Sequence, residues 1–164
     1  MFKEILILAF IMMLPFVEIR LAIPIGILTG SVVLPFGITL SGFGFHPLAV
    51  FCLAIIMGFF LTFIIFNGLH LLDKPLRKSK FSGRYFRLLE KTQKRIHPYI
   101  DKYGILGLAV YISLPIPGSG GYMGSIGGYA LGFERKKFYL AAIIGVTIAA
   151  VIVTSLVVLG KLVL

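Results

Sequence analysis

Two charged residues, Glu18 and Arg20, interrupt an apolar stretch of sequence that runs from Ile5 to Leu72. An ionisable side chain near the centre of a bilayer costs about 2.5–3.5 kcal/mol on insertion scales, so such residues are candidates for function. Arg20 stays charged, and its planar donors suit a phosphate or a carboxylate. Glu18 can exchange a proton during transport. A structural ion pair, or an interfacial position at the end of a short first helix, is the alternative interpretation.

The second candidate site is the segment 114–121, with the sequence LPIPGSGG. Backbone N–H groups at the start of a short helix bind anions without a charged side chain, and Ser119 adds a hydroxyl. These glycines do not form a phosphate-binding Walker loop, because no Gly-Lys-Ser/Thr follows them. The alternative is that proline and glycine only make the turn. The residues predicted to bind substrate are Glu18, Arg20, Pro24, Gly26, Pro115, Pro117, Gly118, Ser119, Gly120 and Gly121, with no metal or cofactor.

The composition predicts that both candidate sites lie in a membrane. Of the 164 residues, 59% are hydrophobic and 13% are charged, and the mean hydropathy is +1.03. These values are typical of an integral membrane protein and exclude an ordinary soluble domain. We therefore expect one membrane domain that crosses the cell membrane several times. The single Cys52 excludes a disulfide framework.

Positive charge is concentrated in the middle of the chain. The net charge is +10, and ten of the sixteen Lys and Arg residues fall within 73–102. Such a block suggests nucleic acid in a soluble protein, but between membrane segments it indicates a cytoplasmic topology anchor that faces anionic lipid headgroups. The residues around Arg135 (134–137) are placed on the same side by the same rule.

Positive charge on both flanks predicts that residues 104–133 enter and leave the bilayer on one side. Thirty residues are too few for two helical crossings, which take about 20 residues each. The arms 104–114 and 122–133 would each reach roughly 16–18 Å, about half of the hydrocarbon core. The sequence therefore predicts a re-entrant hairpin whose tip lies near the midplane.

A second hairpin, entering from the opposite side, follows from the order of the segments. Residues 47–72 form a long apolar span that ends at the basic block, and the short first apolar run cannot provide a complete crossing before it. We expect arms at 4–14 and 27–45, with a tip at 15–26, and a last full span at 138–160. Residues 79–100 have apolar residues at helical spacing. They predict an amphipathic helix that lies in the inner interface or packs on its own protein.

The two halves of the chain repeat one order of elements. LAIPIG at 21–26 corresponds to LPIPG at 114–118, and LAIIMG at 53–58 to LAAIIG at 140–145. The predicted fold is all-α, an inverted-topology repeat of two opposed re-entrant hairpins, two transmembrane helices and a cytoplasmic amphipathic helix. Its parts are a first repeat (1–72), a basic linker (73–102) and a second repeat (103–164). Small residues four apart favour close helix packing, within one chain or in a homodimer; in the second hairpin they are Gly120, Gly124, Gly128 and Gly132.

The two tips resemble the small multidrug export protein family, which looks like a distant branch of the DedA (VTT-domain) superfamily. EIRLAIPIG and KYGILGLAVYISLPIPGSGG carry the resemblance. Glu18 corresponds to the acidic residue of the first DedA hairpin, and Pro117 and Gly118 correspond to the turn of the second. The chain departs from the pattern where DedA proteins carry arginines around that second proline, because Ser113, Leu114 and Ser119 stand there. The resemblance implies proton-linked movement of a phosphorylated lipid carrier such as a polyprenyl phosphate.

Three functions remain open at this point. The first is a proton-coupled transporter or flippase for an anionic lipid carrier, whose headgroup binds between Glu18–Arg20 and the turn 117–121. The second is an exporter of small cationic or lipophilic compounds, in which Glu18 pairs with the cation. The third is a scaffold that binds partner helices. An intramembrane hydrolase is not expected, since Asp73 and Asp101 are predicted at the cytoplasmic face and Ser119 has no predicted base beside it.

Overall fold

The computed structural model of the chain describes residues 2–14, 17–33, 39–78, 82–114 and 119–163. Most of these residues are helical, as the sequence predicts, and a pair of short strands is the exception. In chain order the elements are α1 (Phe2–Met12), α2 (Glu18–Ile27), β1 (Thr29–Val33), β2 (Thr39–Phe43), α3 (Pro47–Lys78), α4 (Ser82–Tyr103), α5 (Ile105–Ser113), α6 (Gly121–Ala130) and α7 (Arg135–Val163).

The two longest helices match the two predicted spans. α3 begins at Pro47, whose fixed φ suits the first helical turn. Its segment Pro47–Leu72 has a mean hydropathy of 2.9, and Arg135–Leu162 of α7 has 2.7. Only 28% and 33% of their most apolar windows are buried, unlike the core helices of a soluble protein. Both helices therefore have the length and the lipid-compatible surface that a bilayer crossing requires.

The first predicted hairpin is wrong in its second arm. Helix α1 occupies the first arm, but α2 runs through the predicted tip, and residues that we expected to form a helical arm at 27–45 include two antiparallel strands. Thr29 pairs with Phe43 and Val33 with Thr39. β-Branched residues favour this extended conformation. The ribbon is tied back to α2, because the Phe45 N–H donates to the Gly26 carbonyl at 2.8 Å.

The second predicted hairpin corresponds to two short helices. α5 and α6 have 9 and 10 residues; α5 lies within the predicted arm 104–114, and α6 begins one residue before the predicted arm 122–133. At 1.5 Å per residue each reaches about 14–15 Å, half of a ~30 Å hydrocarbon core. Their entry into the bilayer and return on one side stays a prediction, as does the inverted repeat.

The chain forms two compact units, and the division passes through α3 and α7. One unit comprises residues 1–58 and 147–164, and the other comprises residues 59–146. In the first unit α2 packs against α1 and against the ribbon, around Leu8, Met12 and Ile23, which are fully buried. In the second unit α4 packs against α5 and α6. The amphipathic helix thus packs on its own protein, which is one of the two arrangements that the sequence left open.

Candidate functional site

Among the residues whose burial the structure describes, Glu18 is the one charged residue that is buried. It is 7% exposed and stands at the first position of α2. Its φ of +44° lies in the left-handed region, which costs an L-residue with a Cβ roughly 1–2 kcal/mol. Backbone strain of this kind persists where the surrounding structure enforces it, and it clusters at functional positions. The local geometry therefore agrees with the sequence in singling out Glu18.

Arg20 lies in the first turn of the same helix and is half-buried. The segment that carries both residues is helical from Glu18 onward, although the φ of Glu18 itself is left-handed. A joint role of Glu18 and Arg20 in binding a substrate stays a prediction.

Pro24 and Gly26 belong to the body of α2. Pro24 lies inside the helix, where it cannot donate a hydrogen bond to the carbonyl four residues earlier. Gly26 is buried, and a Cβ placed there would lie 2.9 Å from both Leu8 Cδ2 and Val50 Cγ1. A glycine at this position lets α1 and α3 approach α2 closely, which is a packing role.

The second predicted site is described only in part, because Pro115, Pro117 and Gly118 lie outside the described residues. Ser119, Gly120 and Gly121 are buried in succession. The Ser119 hydroxyl donates to the Leu114 carbonyl at 2.7 Å and so closes the turn between α5 and α6. Gly120 precedes the first residue of α6 with a φ of +99°, a conformation that glycine adopts without strain.

The serine hydroxyls around this turn all donate to backbone carbonyls. Ser113 donates to Val110 O at 2.8 Å. Ser125 lies 2.6 Å from Gly121 O and 3.3 Å from Thr62 O, so its hydroxyl bridges α6 to α3. A proton that is donated to a carbonyl is not available to a phosphate oxygen. The predicted anion site depends chiefly on backbone N–H groups of 114–121, part of which lies outside the described residues, and it stays a prediction.

The glycine stripe of the second hairpin packs within the chain. A Cβ at Gly124 would overlap Ile112 Cγ1, and one at Gly128 would lie 2.7 Å from Phe138 Cδ2. On α7, a Cβ at Gly145 would lie 2.7 Å from both Ala109 O and Ile112 Cβ. Ile112 is thus a knob held between glycines of α6 and α7, and its pairing with residues 12 and 33 positions later is not visible in the sequence.

A polar pair inside an aromatic cluster joins α3 to α7. The Asn67 amide Nδ2 donates to the Tyr139 hydroxyl at 2.7 Å, and that hydroxyl lies 2.9 Å from Asn67 Oδ1. Asn67 lies inside the apolar span 47–72, where an amide is expected to bridge helices, and it does so here. Tyr139 was not recognised from the sequence. The signal that could have found it is its position at the start of an apolar span, two residues after a basic triplet. Beside the pair, Phe66 and Phe138 stack with centroids 3.8 Å apart.

Together these features define a small, predominantly helical integral membrane protein with one buried carboxylate among the residues whose burial the structure describes. Residues 18–152 match the model of a family described as "Putative small multi-drug export protein", and the chain belongs to this family. The matched region begins at Glu18, so it includes most of the first predicted tip and all of the second. No curated protein and no solved structure matches the chain significantly. The relationship to the DedA superfamily stays a prediction.

Proposed function

We propose that this chain is a proton-coupled exporter of small lipophilic cations, with Glu18 as the residue that binds the proton and the substrate in turn. The observation that carries the proposal is the burial of Glu18 at 7% exposure in a chain that belongs to a family of small multidrug export proteins. A buried carboxylate is stabilised when a proton or a cation neutralises it. Because one carboxylate cannot hold both, release of the cation and uptake of a proton are linked.

The serine hydroxyls near the second turn give the anion candidate no additional support. Ser113, Ser119 and Ser125 direct their hydroxyl protons to carbonyl oxygens, so these donors are already used. A phosphate needs several donors. A lipophilic cation needs a neutralising charge and apolar surroundings, which this composition supplies.

Movement of an anionic lipid carrier, such as a polyprenyl phosphate, is the second candidate. Arg20 supports it, because a half-buried guanidinium in the first turn of α2 can pair with a phosphate, and the positive end of the helix dipole adds to its field. The scaffold hypothesis has less support, since Gly124, Gly128 and Gly145 pack against residues of this same chain.

The proposal includes a topology. We propose that α3 and α7 each cross the cell membrane, that 73–102 and 134–137 are cytoplasmic, and that α5 and α6 dip into the bilayer and return. Single cysteines at Tyr103 and Lys136, both exposed, in a Cys52→Ser background test this topology. A membrane-impermeant maleimide should label both from the cytoplasmic side of sealed vesicles. Labelling from opposite sides would exclude the re-entrant hairpin.

The functional test is transport by purified protein in liposomes, with a pH gradient and tetraphenylphosphonium as the probe. We expect Glu18→Gln to lose gradient-driven transport at least tenfold, while Arg20→Gln retains most of it. Glu4→Gln on α1 is the matched control, because Glu4 is an exposed carboxylate, and it should transport as the wild type does. Proteoliposomes with a fluorescent polyprenyl phosphate form the second arm. If Arg20→Gln abolishes lipid movement and no variant affects the cation, the lipid candidate replaces the first.

A further inference from the structure

The face of α4 that points away from α5 and α6 is basic, and the packing of the helix fixes its orientation. Thr92 is 3% exposed, and α4 packs against α5 and α6, so the Thr92 side of the helix is covered. Arg87 and Lys94 are about 140° and 160° away from Thr92 around the helix axis, and both are exposed. Lys91 on the flank of this face is exposed as well. These three residues, at positions 87, 91 and 94, are called the α4 stripe below.

The surroundings of α4 indicate which partner meets this surface. Only Gly104 stands between α4 and α5, and α5 is an apolar helix that exposes Leu106 at 61% and Val110 at 45%. An apolar helix with such a surface belongs in or against the hydrocarbon region. The start of α5 therefore places the end of α4 close to the level of the headgroups, where a positive surface meets anionic lipid.

We propose that the α4 stripe binds the anionic headgroups of phospholipids in the bilayer that surrounds the protein. The surface shares no residue with the proposed substrate site at Glu18 and Arg20, and the proposal does not depend on which substrate is exported. Glu90 lies within the stripe and pairs with Lys94 at 2.7 Å, so Arg87 and Lys91 supply most of the net positive charge. The ligand class is an anionic phosphodiester headgroup, for which phosphatidylglycerol serves as the probe.

The test uses the full chain reconstituted in phosphatidylcholine with spin-labelled phosphatidylglycerol or spin-labelled phosphatidylcholine. The fraction of motionally restricted spin label gives the selectivity of the protein for the anionic lipid. We expect selectivity in the wild type that falls in 0.5 M salt, because exposed charges are screened. In the triple variant R87Q/K91Q/K94Q the preference should fall by about fivefold or more, since each Lys or Arg contributes about a fivefold preference near an anionic surface.

A second triple variant, R135Q/K136Q/K137Q, removes the same charge from the start of α7, where all three residues are exposed. An equal loss of selectivity in the two triple variants would show that net charge, and not the α4 stripe, attracts the lipid, and would overturn the proposal. The same conclusion follows if the wild type has no preference, or if heparin binds the stripe in detergent while the lipid preference is absent. The lipid selectivity of the wild-type protein is also compared at low and high salt. This comparison involves no substitution, so a folding defect cannot explain its result.

Discussion

The side chains of Asn67 and Tyr139, 72 positions apart in the sequence, meet in a two-way hydrogen-bonded pair between α3 and α7. Asn67 also donates to Phe63 O at 2.8 Å within its own helix. The rings of Phe63 and Phe66 lie against Tyr139, with centroids 5.6 and 6.0 Å away. An amide on an apolar helix needs partners inside the protein, because lipid offers none. The pair therefore fixes the register of α7 against α3 in this unit.

We predict that Tyr139→Phe destabilises the protein by about 0.5–1.5 kcal/mol, because it removes one hydroxyl and leaves the Asn67 amide with fewer partners. Unfolding of the purified protein in a mixed detergent series, followed by circular dichroism, measures the change. The double variant with Asn67→Leu should cost less than the sum of the two single changes. Strict additivity would mean that the two side chains do not stabilise each other.

Gly124→Ala should destabilise by about 1–3 kcal/mol, because the new methyl group overlaps Ile112 in a closely packed interface. Gly68→Ala is the matched control: Gly68 is also a helical glycine, and a Cβ there meets nothing within 4 Å. It should be neutral or stabilise by up to about 1 kcal/mol through helix propensity. Ile112→Ala removes the overlapping Cγ1 atom, so the double variant with Gly124→Ala should cost less than the sum of the two single changes. A cost equal to that sum would argue against this contact.

Substitutions of Glu18 should have opposite effects on stability and on transport. Its left-handed backbone is one that glycine and asparagine adopt more readily, and its carboxylate is buried. We expect Glu18→Gly and Glu18→Asn to raise the free energy of unfolding by about 1 kcal/mol while they abolish proton-driven transport. Glu18→Gln keeps the strain and loses the charge, so it should lose transport without the full gain in stability. Normal proton-driven transport by any of these three variants would remove Glu18 from the mechanism.

The Glu90–Lys94 pair on α4 sets one pH dependence. The hydrogen bond from Lys94 and its positive charge lower the pKa of Glu90 below its ordinary value of 4.5. A carboxyl whose pKa is lowered on folding stabilises the fold at higher pH, and the contribution is lost as the pH falls through the lowered value. Lys94→Gln should return the Glu90 pKa toward 4.5, as an NMR titration of the carboxyl would show. Because both groups are exposed to solvent, stability at neutral pH should not change measurably.

The long elements of this fold were predictable because composition decides them. A run of apolar residues that begins at Pro47 and ends at a basic block can form little other than a spanning helix, and α4 follows equally from its periodic apolar residues. Gly124 was recognised as a packing residue by its spacing. Its partner, Ile112, was not, because an isoleucine in an apolar segment does not reveal which helix it will contact.

The first repeat was harder to predict because local chemistry competes there with the overall pattern. Pro24 suggested an unwound tip, but a helix tolerates one proline when the segment around it is buried, and α2 continues to Ile27. The signal for the strands after α2 is a few β-branched residues, such as Thr29 and Val33, with glycines nearby. This signal is short and is easily overlooked in an apolar sequence. Glu18 could be identified as a single carboxylate in an apolar stretch. Its left-handed backbone could not be predicted, because it depends on tertiary contacts that residue types do not reveal.

The ribbon of β1 and β2 has a consequence for how deep the first unit sits in the bilayer. A two-stranded sheet satisfies the backbone groups between its strands, while the groups along its two outer margins need water, headgroups or protein. Hydrocarbon provides none of these, and each orphaned amide or carbonyl there costs several kcal/mol. Wherever other parts of the protein do not cover the ribbon, it must therefore lie at the membrane surface. The ribbon then holds the end of α2, at Ile27, at the same depth.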